Sequence, residues 1–497
     1  MAITPLLAAA VLVLPTAPAA ADRPLDHIVP APAQVSATGR DFHLTRQTVI
    51  ETRVPSVGSL LAADLREATG LTLPVQPTAA PAAPTISLRL AAGHGDEGYR
   101  LEVDRTSAQV TASTPAGLFA GTQTLLQART GRALAGGTIT DRPRFGYRGA
   151  HLDLARHFHT PDEVKKYIDE IRRLKINYLH LHLTDDQGWR IQIDSWPRLT
   201  TVGGGPGTGV DGVGGGYLTK AQYQDLVGYA AARFVTVVPE IDMPGHVNAA
   251  QVAYPELTCD GVAPPPRTDT AVGYSSLCIS SETTYRFVED VIRELAAITP
   301  GPFIHIGGDE AHATPPADYV AFQNRVIPLV AKYGKTAYGW NEIAQSPASY
   351  SSVAQFWGTS TSNPTLAEAV SHGMRVVMSP ANKAYLDMKY DRSTPLGLSW
   401  AGYIEVRTAY EWNPGTHVSG VPESAVLGVE APLWSETLRK LDDIEFMAFP
   451  RLAAIAELGW SPAATHDWAS FRTRLAAYAP QWTARDVDFY RSPQINW

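Results

Sequence analysis

From residue 144 to the C-terminus, short apolar strands and amphipathic helices take turns, and that rhythm leaves few folds open. The strand-like segments read "YRGAHLDL", "NYLHLHLT", "VTVVPEID", "FIHIGG", "TAYGWNE", "SVAQFWG", "RVVMSP" and "VLGVEAPLW", with helical segments between most of them. Thr160, Pro161 and Glu163 have the order of a capping box with proline in the first turn, so a helix starts there. Its apolar positions Val164, Tyr167, Ile168, Ile171 and Leu174 share one face. Eight strands in about 350 residues is the count of a (β/α)8 barrel, with a doubly wound open sheet as the alternative because a strand count does not prove closure. Residues 22–143 read differently. A helical stretch, "SLLAADLREATG", precedes two strands, "GYRLEVD" and "AQVTAST", and a second helix, "PAGLFAGTQTLLQ". In the first strand Tyr99, Leu101 and Val103 alternate with Arg100, Glu102 and Asp104, the period of a half-buried strand. This is a small α+β domain ahead of a barrel domain spanning 144–497.

The first 21 residues have an apolar core followed by small residues near Ala19 to Ala21, the pattern of a secretory signal peptide, although no Lys or Arg precedes the core. The run is too short to span a bilayer and Pro15 and Pro18 interrupt it, so secretion is expected and a membrane anchor is not. Cys259 and Cys278 lie 19 positions apart in a proline-rich loop, which in an oxidising compartment makes a disulfide worth roughly 3 kcal/mol through loop closure. No Cys/His spacing suggests zinc. The net charge of −8 and the lack of a Lys/Arg run exclude a basic footprint for nucleic acid. In the loop "GGGPGTGVDGVGGG" (203–216), Gly207, Gly209 and Gly212 nominally match a dinucleotide fingerprint. That mechanism needs a tight strand-to-helix turn, whereas the next helix begins only after Thr219. A flexible loop over the barrel mouth is the expectation.

In a barrel, reactive groups gather where strands end. The strand ends here supply Asp153 and Arg156, then Asp185 and Asp186, Asp242 and His246, Asp309 and Glu310, Trp340, Trp357, Tyr385 with Asp387, and Trp434 with Glu436. Carboxylates that bind hydroxyls and move protons, set among indole planes that pack on pyranose faces, make a sugar site. A cation site would use the acids without needing the tryptophans. The adjacent acids Asp309 and Glu310 raise each other's cost of ionisation, one way to keep a general acid protonated.

The segments "HIGGDEAH", "ARHF", "HLHLTDDQGWR", "EIDMPGH", "GWNEI", "YLDMKY" and "APLWSET", in that set, resemble glycoside hydrolase family 20, the retaining β-N-acetylhexosaminidases, with bacterial secreted members the best match. The resemblance covers the barrel, and 22–143 resembles the family's companion domain. It implies exo action on terminal β-linked GlcNAc or GalNAc, on chitin fragments or other glycans, with no cofactor and no metal. Retaining glycosidases usually place a second carboxyl about 5–5.5 Å away as nucleophile, and this family is an exception in which the substrate's 2-acetamido oxygen attacks. The family's roles then fall on Glu310 as general acid and base, and on Asp309 as partner of the acetamido N–H. Asp185 and His246 match a network that tunes Glu310, and Tyr385 a donor to the acetamido oxygen. Arg156, Asp387 and Glu436 match hydroxyl-binding groups, Trp340, Trp357 and Trp434 the walls of the acetamido pocket, and Trp400 a packing surface for the sugar. Taken singly, Arg156 is equally a structural ion pair, His246 a core histidine, and each tryptophan a core residue. Asp186 reads as a turn residue. Two rival readings remain. One is a metal-dependent barrel hydrolase using His180 and His182 with His246, His305 and Asp309, where interior packing is the plainer account of the His-x-His pair. The other is a sugar-binding protein that has lost its chemistry, although the acid and its partners are all present.

Overall fold

The computed structural model describes residues 24–80 and 83–497, so the expected signal peptide at 1–21 lies outside the described residues. Among the described residues the eight expected strands are β1 (Tyr147–Asp153), β2 (Tyr178–His182), β3 (Thr236–Glu240), β4 (Phe303–His305), β5 (Thr336–Trp340), β6 (Val353–Phe356), β7 (Arg375–Met378) and β8 (Val426–Ala431). All neighbours are parallel, and β8 pairs back to β1 with Tyr147 opposite Gly428 and Ala150 opposite Ala431. The sheet is a closed barrel, which removes the open-sheet alternative.

Strand alternation sorts the side chains into two populations. Leu179 and Leu181 on β2, Val237 on β3, Ile304 on β4 and Val429 on β8 point outward into the large apolar core shared with the helices. The inward positions make layers. Tyr147, Val238, Tyr338, Val353 and Val377 form an aromatic and aliphatic floor, with Tyr178 and Phe303 packed against it. Above it the interior turns polar. His151, His180, His182, Glu240, His305, Gln355 and Glu430 are all completely buried.

Thr160 caps the helix Pro161–Ile171 reciprocally with Glu163, and the five apolar positions named above are buried. Burying such side chains stabilises by roughly 1.5–3 kcal/mol each, so this face fixes the helix on the barrel. In the N-terminal domain, strands including Tyr99–Val103, Ser107–Ala112 and Thr85–Leu90 form a mixed sheet carrying helices Pro55–Thr69 and Pro115–Gln127. Charged groups clamp this domain to the barrel. Arg172 donates to Asp64 at 2.8 Å, Arg148 to Glu97 at 2.5 Å, and the buried Lys175 ammonium lies 3.2 Å from Asp141 and over the Trp460 ring.

The glycine-rich loop is held, where the sequence suggested freedom. Val210 N donates to Arg156 O at 2.8 Å, Gly209 N to Gln187 O at 2.8 Å, and Arg190 Nη1 to Gly216 O at 3.0 Å. Gly209 has φ +89°, and a Cβ there would stand 2.9 Å from Arg156 O. The glycines let this loop lie against the Arg156 backbone, so they serve close packing at the mouth of the barrel.

Candidate active site

Strand β4 ends at His305, and the chain then turns through Gly307 (φ +62°) and Gly308 (φ +105°). A Cβ on Gly307 would fall 1.8 Å from Asp242 Oδ1, so only glycine lets the turn pass this close to the end of β3. The turn delivers Asp309 and Glu310 to one cavity of about 320 Å³, shared with Arg156, Trp357, Tyr385, Trp400, Trp434 and Glu436. Glu310 (φ +46°) and His246 (φ +56°) both occupy the left-handed region. Non-glycine residues there cost on the order of 1–3 kcal/mol each, strain that clusters at functional sites.

Asp185 is the electrostatic node. Its Oδ1 accepts from His246 Nδ1 at 3.0 Å and from Asp186 N at 2.6 Å, and its Oδ2 lies 2.7 Å from His182 Nε2 and 2.9 Å from Arg156 Nη2. Burial opposes its charge, but Arg156 and His246 overcome that and hold the carboxyl well below the usual range. His246 turns Nε2 towards both acids, 3.6 Å from Glu310 Oε2 and 3.8 Å from Asp309 Oδ2. Asp309 behaves oppositely to Asp185. Burial, then Asp242, pushes its pKa well above the carboxylate range against the pull of His246. Its Oδ1 is buried with no protein partner, a position that an incoming N–H would satisfy.

Arg156 is buried between Asp185 and Asp153 and stacks its guanidinium 4.8 Å over the Trp434 ring. Trp357 and Tyr385 meet Trp400 edge-on, at 6.1 and 5.8 Å. Trp400 is 54% exposed, a large apolar surface free at the rim. The set therefore has a cationic and carboxylate end, an aromatic end, and two acids between them.

The model of glycosyl hydrolase family 20, catalytic domain, matches residues 145–318 and 312–463, and that of the family's domain 2 matches 26–142. The chain belongs to glycosyl hydrolase family 20. A β-N-acetylhexosaminidase of Cellulomonas fimi is 41% identical over 484 residues, 95% of this chain and 97% of that protein. The Streptomyces plicatus N-acetyl-β-hexosaminidase solved in complex with Thio-NAglucal has a TM-score of 0.92 and 54% identity, covering 95% of this chain and 98% of that one. A family 20 exo β-N-acetylglucosaminidase of Vibrio harveyi, solved with N-acetylglucosamine, gives 0.83 and 27%, covering 96% and 80%. This chain is a glycoside hydrolase.

Trp340 stands beside Trp434, which borders the cavity. Its indole is wholly buried, donates Nε1–H to Glu240 at 2.9 Å, and has its ring centroid 5.7 Å from that of Trp434. As the last residue of β5 it supports Trp434. Asp387 is buried beside Glu436 with both oxygens lacking a protein partner. Asp186 accepts from Asn248 N at 2.9 Å and Ser275 Oγ at 2.6 Å, a structural role. Cys259 and Cys278 are joined, and the loop they close supplies Thr270 and Val272 to the cavity wall.

Two acids, Glu342 and Glu240, escaped the sequence reading, and a third, Asp242, was read there only as a strand-end acid. Glu342, inside the "GWNEI" segment, accepts from Trp357 Nε1 at 3.1 Å, and burial, then Asp309, pushes it up to about 8. Asp242 accepts from Gly308 N at 3.0 Å, and burial carries it up to about 7 with His246 opposing. Glu240 is the last residue of β3, and its polar neighbours come from the adjacent strands β2 and β4. Those neighbours account for the His-x-His pair. His180 sits between Glu430 (2.8 Å) and Glu240 (3.0 Å), and His182 between Glu240 (2.5 Å) and Asp185 (2.7 Å). Both rings have both nitrogens turned to carboxylates, so interior packing explains their spacing.

Proposed function

We propose that this protein is a retaining exo-β-N-acetylhexosaminidase that uses its substrate's own acetamido group as nucleophile. The observation that carries the reading is the sharing of one cavity by Asp309, with its unpartnered buried oxygen, and the adjacent Glu310. The terminal sugar enters with its 3- and 4-hydroxyls towards Arg156 and Glu436 and its acetamido group towards Trp357, Trp434 and Tyr385. The Tyr385 hydroxyl donates to the acetamido oxygen and turns it towards the anomeric carbon. Asp309 accepts from the acetamido N–H and stabilises the positive charge as that oxygen closes the oxazolinium ring. Glu310 gives its proton to the leaving glycosidic oxygen. In the second step it takes a proton from the water that opens the ring, so water ends on the face the leaving group left and configuration is retained. His246, held by Asp185, faces Glu310 and Asp309 and steadies both.

Chitin fragments and other glycans ending in β-linked GlcNAc or GalNAc are the substrate class, met outside the cell. The apolar N-terminal segment and the Cys259–Cys278 bridge support secretion. The test is turnover of matched aryl β-GlcNAc, β-GalNAc and β-glucoside substrates. The acetamido sugars should be cleaved and the glucoside should be essentially inert, since it lacks the nucleophile. Comparable turnover of the glucoside contradicts the reading.

A further inference from the structure

The reaction above uses Asp185, His246, Asp309 and Glu310, yet the polar column does not stop at Asp185. It continues down the barrel axis as alternating carboxylates and imidazoles: Asp185, His182, Glu240, His180, Glu430 and finally the Tyr147 hydroxyl, 2.5 Å from Glu430 on the floor. Every member is buried. Glu240 is the hub of this column. Its Oε2 lies 2.5 Å from His182 Nδ1 and 3.0 Å from His180 Nε2, and its Oε1 lies 2.9 Å from both His305 Nδ1 and Trp340 Nε1. Of these, His182 Nδ1 and Trp340 Nε1 donate to Glu240, one to each oxygen, while His305 Nδ1 accepts from Gly307 N; the two donors hold the buried carboxylate as an anion in one orientation.

We propose that Glu240 and His182 are positioning residues for the reaction, acting on Glu310 through Asp185 and His246. The inference rests on the reading of Glu310 as the acid. His182 can satisfy Glu240 and Asp185 together only as a doubly protonated imidazolium, because each nitrogen must donate. That cation and Arg156 occupy Asp185 Oδ2, which leaves Oδ1 for His246 Nδ1–H. His246 is then fixed in the orientation that turns Nε2 towards Glu310 and Asp309. Burial opposes the charge on His182, and Glu240 and then Asp185 overcome it.

The other titratable groups facing this pair come from every side of the barrel. His151 on β1 lies with its ring 6.0 Å from that of His182; its Nδ1 accepts from Leu433 N, and burial, then His180, holds it neutral. His305 on β4 is likewise pushed towards neutrality by burial, while Asp242 and Asp309 stand on the catalytic side of Glu240. Glu430 on β8 is matched by His180. No other cation in this set touches Asp185 Oδ2 besides His182 and Arg156, among the described residues.

Glu240→Gln removes the anion that keeps His182 charged, so His182 becomes neutral. Along the column His182 is nearer to Glu310 than Glu240 is, so the nearer of the two lost charges is positive and the site becomes more negative. The basic limb of the kcat profile, where the acid loses its proton, should move to higher pH. By analogy with the outer partners of metal-bound imidazoles, whose loss costs roughly 10–100-fold, kcat should fall by about that factor while KM stays within about twofold. The loss should be larger for an alkyl β-GlcNAc than for an activated aryl one. His182→Gln should reproduce both effects. Unmoved limbs, with equal losses for the two substrates, would mean that Glu240 only supports the fold. Glu310→Gln in the same assay separates the two readings. If it spares the alkyl substrate, the acid assignment fails; if it behaves as an acid deletion and Glu240→Gln leaves the limbs unmoved, only this proposal fails. If the variants do not fold, the parent enzyme with 15N-labelled histidine decides. Both His182 nitrogens should stay protonated from about pH 6 to 9, and a ring that loses a proton within that range overturns the proposal.

Discussion

Replacing Asp309 by asparagine keeps the side chain's shape and removes the charge that the forming oxazolinium ring needs. At about 4 Å and an effective dielectric constant near 20, a unit charge pair is worth about 4 kcal/mol. Part of this is offset, because His246 Nε2 already stands 3.8 Å from Asp309 Oδ2. Removing a charge-stabilising group from a closed site costs about 2.7–4 kcal/mol, so kcat should fall by roughly 10²–10³. KM should change little, since the charge develops only on the way to the ring. A stable cyclic mimic of the oxazolinium should lose affinity by the same factor as kcat. The assay is kcat for Asp309→Asn across the whole pH range, beside inhibition by the mimic. A competing account holds that Asp309 acts only by like-charge pressure on Glu310. It predicts that most of the rate returns at lower pH. Recovery of near-parental kcat at any pH would refute the cation-stabilising role.

Glu310→Gln should slow alkyl glycosides far more than activated aryl glycosides, because only the former need a proton on the leaving oxygen; equal losses would point to binding or structure. The pH dependence of kcat/KM should carry the mark of Asp309. Its ionised form is the active one and its pKa is raised, by burial and then Asp242, so activity is present above that pKa and lost as pH falls through it. The acid limb should therefore stand above the ordinary Asp value near 3.9 and shift in Asp309→Asn, and a limb at or below about 4 contradicts this. Asp64→Asn should destabilise by roughly 1.5–3 kcal/mol, because the buried Arg172 loses its charged partner at 2.8 Å and keeps only Asp169 at 3.2 Å. Burial opposes the charge on Asp64, and Arg172 and Arg173 depress its pKa, so its contribution is complete above about pH 4 and is lost as pH falls through the lower folded value. The melting-temperature gap between parent and variant should narrow only below about pH 4, and a gap independent of pH would refute the pairing.

The barrel was legible because its outward strand positions and helix faces obey simple periods, and Val164, Tyr167, Ile168, Ile171 and Leu174 all landed where one face of a helix puts them. The rim acids were legible because they follow apolar strands. The column beneath them was legible only in part. Interior packing was the plainer reading of His180 and His182, and both are buried. Glu240, the last residue of β3, carried no signal, because its partners come from other strands and meet it only once the barrel closes. The glycine-rich loop was read as free because glycine permits freedom. Its backbone contacts to Arg156 and Gln187 depend on tertiary packing that composition does not encode.

The central claim is that the substrate's acetamido oxygen makes the first bond to the anomeric carbon. The most direct measurement replaces the acetyl methyl hydrogens by fluorine, one, two and three at a time, in an aryl β-GlcNAc, and follows kcat. Each fluorine withdraws electrons from the carbonyl oxygen without changing the leaving group or the ring hydroxyls. The account predicts a monotonic fall, by at least about tenfold (1.4 kcal/mol) from the acetyl to the trifluoroacetyl substrate. A kcat indifferent to fluorine would mean that an enzyme group attacks instead, and would contradict the account.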